Sequence, residues 1–125
     1  MNQKFEQLNI NNNNQLNNQT EYYNNGDKYV GQFINGKREG KGIYYYNNGN
    51  RYEGEYKNGN KEGKGIYYYN NEERYEGDWK NGKAEGKGIY YYNNGDRRIG
   101  DWKDDKEIGK HVILSKNGGV KTENY

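Results

Sequence analysis

The feature that most constrains the fold of this chain is an internal repeat with a period of 23 residues. When the sequence is aligned on Tyr29, Tyr52 and Tyr75, three consecutive segments share their glycine and aromatic positions. The second and third segments differ at only 6 of 23 positions, and a degenerate fourth copy begins at Arg98. Such a period indicates an array of small units, each of which buries its apolar surface against its neighbours.

Within each unit the pattern predicts a β-hairpin. Large residues alternate with others over residues 29–33, at the period of a strand. Asn35-Gly36 follows, a dipeptide that favours the tight turn in which both central residues have positive φ. A return strand is predicted over about residues 39–46, and Asn47-Asn48-Gly49 closes the unit. We therefore expect an all-β protein: an elongated single antiparallel sheet of seven or eight strands, roughly 35 Å long.

The predicted organisation has three parts. Residues 1–19 form an Asn/Gln-rich low-complexity tail, residues 20–120 form the repeat array, and residues 121–125 form a second tail. The array is divided into a half-repeat, three full repeats and a degenerate repeat, at residues 20–28, 29–51, 52–74, 75–97 and 98–120. In the first tail, Phe5, Leu8 and Ile10 are predicted to form a short docking element.

Counting in twos separates the two faces of each hairpin. One face of the first hairpin is predicted to carry aromatic rings and glycines and no charge, from Tyr29, Gly31, Phe33, Gly40, Gly42, Tyr44 and Tyr46. Glycine leaves bare backbone on which a ring from a facing strand can lie, which recovers part of the cost of glycine in a strand. Because a single hairpin is marginally stable, contacts between neighbouring repeats must stabilise the sheet.

Residues 75–90, with the sequence YEGDWKNGKAEGKGIY, resemble the MORN repeat, and the resemblance covers about residues 20–120. It implies an elongated antiparallel β-sheet. MORN repeats occur in some phosphatidylinositol phosphate kinases, junctophilins and lysine methyltransferases, where a separate domain does the chemistry or spans the membrane. Three departures from the pattern are Arg98 for the leading Tyr, His111 for the second Gly of the GxG pair, and Glu72-Glu73 for the loop Gly-Asp. They leave open whether the last hairpin is intact.

Composition argues against catalysis and against several ligand classes. The net charge is +2 and there is no cysteine, so we expect no nucleic-acid partner, no metal and no cofactor. His111 is the only histidine and is interpreted as a surface or end-cap residue. Gly40-Lys41-Gly42 does not complete a phosphate-binding loop, and Asp104-Asp105 lack the spacing of a calcium loop. We expect no catalytic residue and no small-molecule substrate.

The resemblance implies a non-catalytic protein–protein interaction or scaffold module in a cytoskeletal or ciliary, radial-spoke-like assembly. Its partner would be another MORN array or a large assembly. Tyr and Trp are favoured interface residues, and the candidates are Phe33, Tyr56, Trp79, Trp102, Tyr44, Tyr67 and Tyr90.

Two alternatives stay open. One is a peripheral phospholipid-binding module that uses Lys37, Arg38 and Lys41. The other is a regulatory fragment of a phosphatidylinositol phosphate kinase-like system. No apolar run has the length of a membrane span and no signal-peptide pattern is present, so the expected location is cytoplasmic, neither secreted nor transmembrane.

Overall fold

A computed structural model describes residues 2–3 and 15–125, which form a single antiparallel sheet of eleven strands. The strands lie in the order in which they occur along the chain, so each pairs with its neighbours in sequence. The described part of the chain contains no helix. The predicted fold class is therefore confirmed. The strands are β1 (Asn2–Gln3), β2 (Asn17–Tyr23), β3 (Lys28–Ile34), β4 (Lys37–Tyr45), β5 (Arg51–Lys57), β6 (Asn60–Tyr68), β7 (Arg74–Lys80), β8 (Lys83–Tyr91), β9 (Arg97–Lys103), β10 (Lys106–Leu114) and β11 (Val120–Asn124).

The predicted number of seven or eight strands is wrong. The degenerate repeat forms a complete hairpin from β9 and β10, and two further strands, β1 and β11, pair at the ends of the sheet. Strand β2 begins at Asn17, three residues before the predicted start of the array at residue 20. Strand β11 includes most of residues 121–125, which were assigned to a tail. Residues 4–14, with the predicted docking element Phe5, Leu8 and Ile10, lie outside the described residues.

The turns inside the hairpins follow the prediction. Asn35 and Gly36 have φ values of 52° and 78°, and the corresponding turns at residues 58–59 and 81–82 have the same signs. In the last hairpin Asp104 and Asp105 adopt φ values of 50° and 70° without a glycine. Asp tolerates this left-handed region better than most residues because its short polar side chain bonds locally. The fourth hairpin is therefore intact although its turn lacks the Asn-Gly signal.

A β-bulge interrupts each hairpin at the same place. In the first hairpin Gly31 pairs with Gly42, but the next pair is Phe33 with Arg38, so three residues of β4 stand opposite one residue of β3. Gly40 lies in this bulge with a φ of 81°, and a Cβ there would meet the side chain of Gln32 rather than a ring. The predicted place of Gly40 under an aromatic ring is therefore wrong, and its role is to form the bulge.

The core lies on one face of the sheet. Tyr29, Phe33, Tyr52 and Tyr75 are buried there, together with their equivalents in the neighbouring repeats. Because the sheet has a single layer, these rings are covered by other rings of the same face and not by a second sheet. Hereafter this is called the aromatic face.

Candidate functional site

The aromatic face carries two rows of rings that run across the strands. The inner row is a series of edge-to-face contacts in which ring centroids lie 4.7–5.3 Å apart. This spacing and geometry are those preferred by aromatic pairs. The inner row consists, in spatial order, of Phe33, Tyr29, Tyr56, Tyr52, Trp79, Tyr75, Trp102, His111 and Tyr125.

The outer row lies beside the inner row and is more accessible. Its rings are stacked or tilted, with centroids 4.6–5.8 Å apart, and most of them are half-buried. Tyr67 joins the two rows through a contact with Trp79. The outer row consists of Tyr23, Tyr44, Tyr46, Tyr67, Tyr69, Tyr90 and Tyr92.

Glycines position the inner row. Gly42, Gly65 and Gly88 each lie beneath the ring of a tyrosine on the preceding strand, where a Cβ would overlap the ring. The Tyr52 ring covers Gly65 in this way, and its hydroxyl donates a hydrogen bond to the carbonyl oxygen of Glu55 at 2.9 Å. The hydroxyl is thus satisfied within the sheet while the ring is buried. The predicted role of these glycines is confirmed by this arrangement.

Loop residues hold the outer row from the side. The Asp27 carboxylate accepts hydrogen bonds from the Tyr44 hydroxyl, at 2.8 Å, and from the backbone N–H of Asn47, at 2.8 Å. Two repeats later, the Glu73 carboxylate accepts hydrogen bonds from the Tyr90 hydroxyl and from the backbone N–H of Asn93 in the same way. This role of the loop carboxylates was not predicted from the sequence. One sequence pattern could have indicated it: the position two residues before each repeat is always Asp, Asn or Glu.

The prediction that this face carries no charge is wrong. Strand β4 begins at Lys37, two residues earlier than predicted, and this brings Arg38 onto the aromatic face opposite Phe33. The Arg38 guanidinium lies 5.3–5.8 Å from three ring centroids and donates hydrogen bonds to the Tyr23 hydroxyl and to the Gly59 carbonyl oxygen.

Lys61 occupies the equivalent position in the next repeat. Its ammonium lies 5.2–5.8 Å from the centroids of Tyr46, Tyr52, Tyr67 and Trp79, and it donates to the Tyr46 hydroxyl at 3.2 Å. Burial lowers the pKa of this ammonium. These contacts are cation–π interactions, so the rings of the aromatic face bind cations supplied by the chain itself.

Burial also sets the acidity of the rings. It raises the pKa of Tyr29, Tyr52, Tyr56 and Tyr75, because the phenolate would lose its hydration. At the edge of the outer row, burial and then the hydrogen bond to Glu21 raise the pKa of Tyr23 to about 12. These five tyrosines are therefore neutral hydrogen-bonding groups near neutral pH.

The candidate partner-binding residues fall into two groups. Phe33, Tyr56, Trp79 and Trp102 belong to the inner row and are no more than 7% exposed, so they form the floor of the face. The accessible candidates lie in the outer row and are half-buried: Tyr44, Tyr67 and Tyr90.

The candidate lipid-binding residues are not on one surface. Arg38 is half-buried on the aromatic face, whereas the exposed Lys41 lines a shallow trough on the opposite face. Lys37 neighbours Arg38 in β4 and therefore points to the opposite face as well. The start of β4 at Lys37 and the bulge at Gly40 place Arg38 on a different face from Lys37 and Lys41. The spacing of the three residues in the sequence does not reveal this.

His111 was interpreted as a surface or end-cap residue. The surface interpretation is wrong, since its side chain is fully buried, while its position in the last hairpin is at the end of the repeat array. Its ring lies over Gly100, contacts Trp102 and Tyr125, and its Nε2 lies 2.8 Å from the carbonyl oxygen of Asp101. Its Nδ1 has no hydrogen-bond partner among the described residues. The histidine fills the space that Tyr29, Tyr52 and Tyr75 fill in the regular repeats.

The described residues contain no group of acidic or histidine side chains arranged to hold a metal ion. Nor does the described part of the chain contain a helix with the length and apolar character needed to cross a membrane.

The family model that matches this chain is the MORN repeat, in three consecutive copies at residues 29–51, 52–74 and 75–97. These boundaries are those derived from the 23-residue period. No curated protein matches the chain. MORN repeats are interaction modules for proteins or membrane lipids and are typically non-catalytic. With more than half of its length matched, and with the hairpin array that the pattern implies, the chain belongs to the MORN repeat family.

Proposed function

We propose that this chain is a non-catalytic protein-interaction module whose aromatic face binds a segment of a protein partner. The observation that carries the proposal is the outer row, seven tyrosines that cross the sheet in continuous contact and remain accessible. Tyrosine supplies a large apolar area and a hydroxyl at low entropic cost, which is why it is enriched in protein interfaces. The buried inner row keeps the outer rings in fixed positions before a partner arrives.

The charge distribution supports a protein partner over a phospholipid surface. Binding to anionic lipid headgroups needs clustered basic residues on one surface. Here Arg38 is engaged by rings and by the Gly59 carbonyl on the aromatic face, while Lys37 and Lys41 lie on the other face. The phospholipid alternative is an outcome of the test below, and capture of a phosphatidylinositol phosphate kinase as the partner would favour the kinase-regulator alternative. A cytoskeletal or ciliary assembly is the setting that we propose, on the basis of the family resemblance alone.

Two matched double variants test the proposal. In the outer-row variant, Tyr67→Ser and Tyr90→Ser remove two accessible rings from β6 and β8. In the control variant, Tyr68→Ser and Tyr91→Ser remove the same atoms from the adjacent residues, which are packed against Arg51 and Arg74 on the opposite face. Circular dichroism and urea unfolding establish that both variants are folded.

The measurement is capture of proteins from an extract of the source cells, followed by binding of the purified candidate to each variant. We expect the wild-type chain and the control variant to bind one partner with similar affinity at 0.15 and 0.5 M salt, and the outer-row variant to bind at least about tenfold more weakly. Sedimentation with vesicles that contain phosphatidylinositol phosphates runs in parallel. Salt-sensitive vesicle binding without a protein partner would replace the proposal by the phospholipid alternative.

A further inference from the structure

At one position of the repeat, the side chain is cationic in the first two repeats, neutral in the third and anionic in the fourth. It is the residue that faces the inner row at the start of each return strand, and it is Arg38, Lys61, Ala84 and Glu107 in the four repeats. In the first two repeats the side chain extends across the aromatic face and its charged end lies among rings. In the third repeat the buried methyl group of Ala84 packs with the core rings but is too short to extend across the face and carries no charge.

A pocket of about 360 Å³ lies on the aromatic face next to Ala84. The four rings around Lys61 are Tyr46, Tyr52, Tyr67 and Trp79, and a shift of 23 residues converts them into Tyr69, Tyr75, Tyr90 and Trp102. All four of these shifted rings line the pocket. The third repeat therefore has the same ring environment without the cation that fills it in the second.

The hydrogen-bonding groups of the pocket also lack their cation. The hydroxyls of Tyr23 and Tyr46 accept hydrogen bonds from Arg38 and Lys61, respectively. Tyr69 is the next member of this series, and its hydroxyl receives no hydrogen bond from residues 15–125. Tyr69 is half-buried and lines the pocket, and its hydroxyl lacks the hydrogen bond that the hydroxyls of Tyr23 and Tyr46 accept.

The far wall of the pocket is acidic. Glu107 and Asp105 line it, and within the described residues neither carboxylate has an ion-pair partner. Asp105 accepts one hydrogen bond, from the backbone N–H of Ala84. Lys61 also lines the pocket, and the charge of Asp105 acts on it. Lys61, Asp105 and Glu107 together carry one excess negative charge.

We propose that the Ala84 pocket binds an arginine or lysine side chain from a segment of the protein partner, in the place that Arg38 and Lys61 occupy in the preceding repeats. This inference rests on the proposed function, since it names the chemistry that the aromatic face recognises. The rings bind the cation over their faces, Tyr69 accepts a hydrogen bond, and the two carboxylates neutralise the charge.

The neighbouring Lys61 does not prevent a second cation. Arg38 and Lys61 already lie on either side of a smaller pocket, one repeat apart, with no carboxylate lining it. A ligand cation next to Ala84 would stand in the same relation to Lys61, in a pocket that Asp105 and Glu107 also line. An anionic ligand side chain would face these two carboxylates, and a neutral one would leave them unpaired.

The test uses the full chain and a pentapeptide, Gly-Gly-Arg-Gly-Gly with blocked ends, at millimolar concentrations, because a single side chain makes few contacts. A matched peptide carries citrulline, which has the shape of arginine without the charge. Ala84→Lys is the key protein variant, since it places in the third repeat the residue that the second repeat has. Its control is Ala84→Gly, which leaves the pocket open. Binding is followed by the NMR signals of Trp102 and of Ala84 or its replacement.

We expect the arginine peptide to bind the wild-type chain and the Ala84→Gly variant, and to bind at least about tenfold more weakly to Ala84→Lys. The citrulline peptide should also bind at least about tenfold more weakly, and Glu107→Gln should weaken arginine binding about threefold or more. Equal binding of the two peptides, equal binding by Ala84→Lys and wild type, or no binding at all would overturn the inference.

The captured partner separates this inference from the proposed function. If Ala84→Lys keeps full affinity for that partner while the outer-row variant loses it, the aromatic face binds protein and the pocket inference fails. If the partner is lost from both variants and retained by Ala84→Gly, both statements are supported.

Discussion

Tyr52 in a regular repeat and His111 in the last repeat each cover a glycine of the paired strand with a ring, but they do so from opposite strands of the hairpin. Tyr52 belongs to the first strand of its hairpin and its ring covers Gly65 on the second, whereas His111 belongs to the second strand and covers Gly100 on the first. The hydroxyl of Tyr52 bonds the carbonyl of Glu55, and His111 Nε2 contacts the carbonyl of Asp101, the equivalent residue.

The two rings also continue the inner row in the same way. Tyr75, the regular tyrosine nearest to the last repeat, contacts Trp79 of its own repeat and Trp102 of the next. His111 contacts Trp102 of its own repeat and Tyr125, which lies 23 residues beyond Trp102 and so at the equivalent position of the repeat pattern. The comparison teaches that the fold needs one ring and one glycine at each crossing, and that either strand can carry the ring.

The largest expected effect is the loss of stability at alkaline pH, to which the buried tyrosines of the regular repeats contribute and His111 of the last repeat does not. Tyr29, Tyr52, Tyr56 and Tyr75 have raised pKa values through burial, so folding holds protons that the unfolded chain releases above about pH 10. Their contribution to stability is fully present below pH 10 and is lost above it, by up to about 1.4 kcal/mol per pH unit for each tyrosine. Since domains are stable by about 5–15 kcal/mol and the four tyrosines together remove up to about 5.6 kcal/mol per pH unit, the sheet should unfold within about one to three pH units above 10.

The measurement is circular dichroism from pH 8 to 13 with tyrosinate absorbance on the same samples. The buried tyrosines should ionise in the transition in which the β-sheet signal is lost. Tyr52→Phe should make the alkaline transition less steep, and His111→Phe, which removes no phenol, should leave its steepness unchanged. Full ionisation of all tyrosines near pH 10 with an intact sheet would contradict this prediction.

Exchange of the ring between strands gives the next largest effect. Arg98→Tyr alone places a second ring at a crossing already filled by His111, which should cost about 1–3 kcal/mol. His111→Gly alone removes the ring from a fully buried site, and the cavity should cost about 3 kcal/mol. The double variant restores the pattern of the regular repeats, so the sum of the single losses should exceed the loss in the double variant by about 2 kcal/mol.

Urea unfolding of the four proteins measures this coupling. Recovery should be incomplete, because Arg98 also bonds the hydroxyls of Tyr92 and Tyr125 and pairs with Glu123 at 2.9 Å. Additive losses would mean that His111 and the tyrosines of the regular repeats do not fill equivalent space.

A structural feature of this protein could be predicted from the sequence when it occurs in several repeats, and it was missed when it occurs in one. The Asn35-Gly36 turn, the hairpins and the pairing of Tyr52 with Gly65 follow from the period, because the same local chemistry occurs three times. Features carried by one copy were missed. His111 lies where the pattern has glycine, and only the simultaneous change of Tyr to Arg98 indicates that a ring has moved to the other strand.

The candidate site shows the same limit. The tyrosine rows could be predicted as one face, but the position of Arg38 on that face depends on where β4 begins and on the bulge at Gly40. The pocket beside Ala84 is visible only by comparison with the filled position of Lys61. The alternation of side chains along a strand predicts which face of the sheet each residue lies on, but it does not predict which side chains fill the space between the rings.

The smallest effect is expected at one of the ion pairs that join the regular repeats to the last one. Lys87 Nζ of β8 lies 3.8 Å from Asp101 Oδ1 of β9, and the two side chains are 87% and 54% exposed. Water screens such a pair, and holding two long side chains in place costs entropy. A double-mutant cycle of Lys87→Ala and Asp101→Asn, measured by urea unfolding at 0.15 M salt, should give a coupling below about 0.5 kcal/mol. The same two strands carry Tyr90 and Trp102 on the aromatic face, and Tyr75 of β7 reaches across to Trp102 with centroids 5.1 Å apart. A coupling above about 1 kcal/mol would mean that exposed charges, and not the inner row, hold the last repeat against the others.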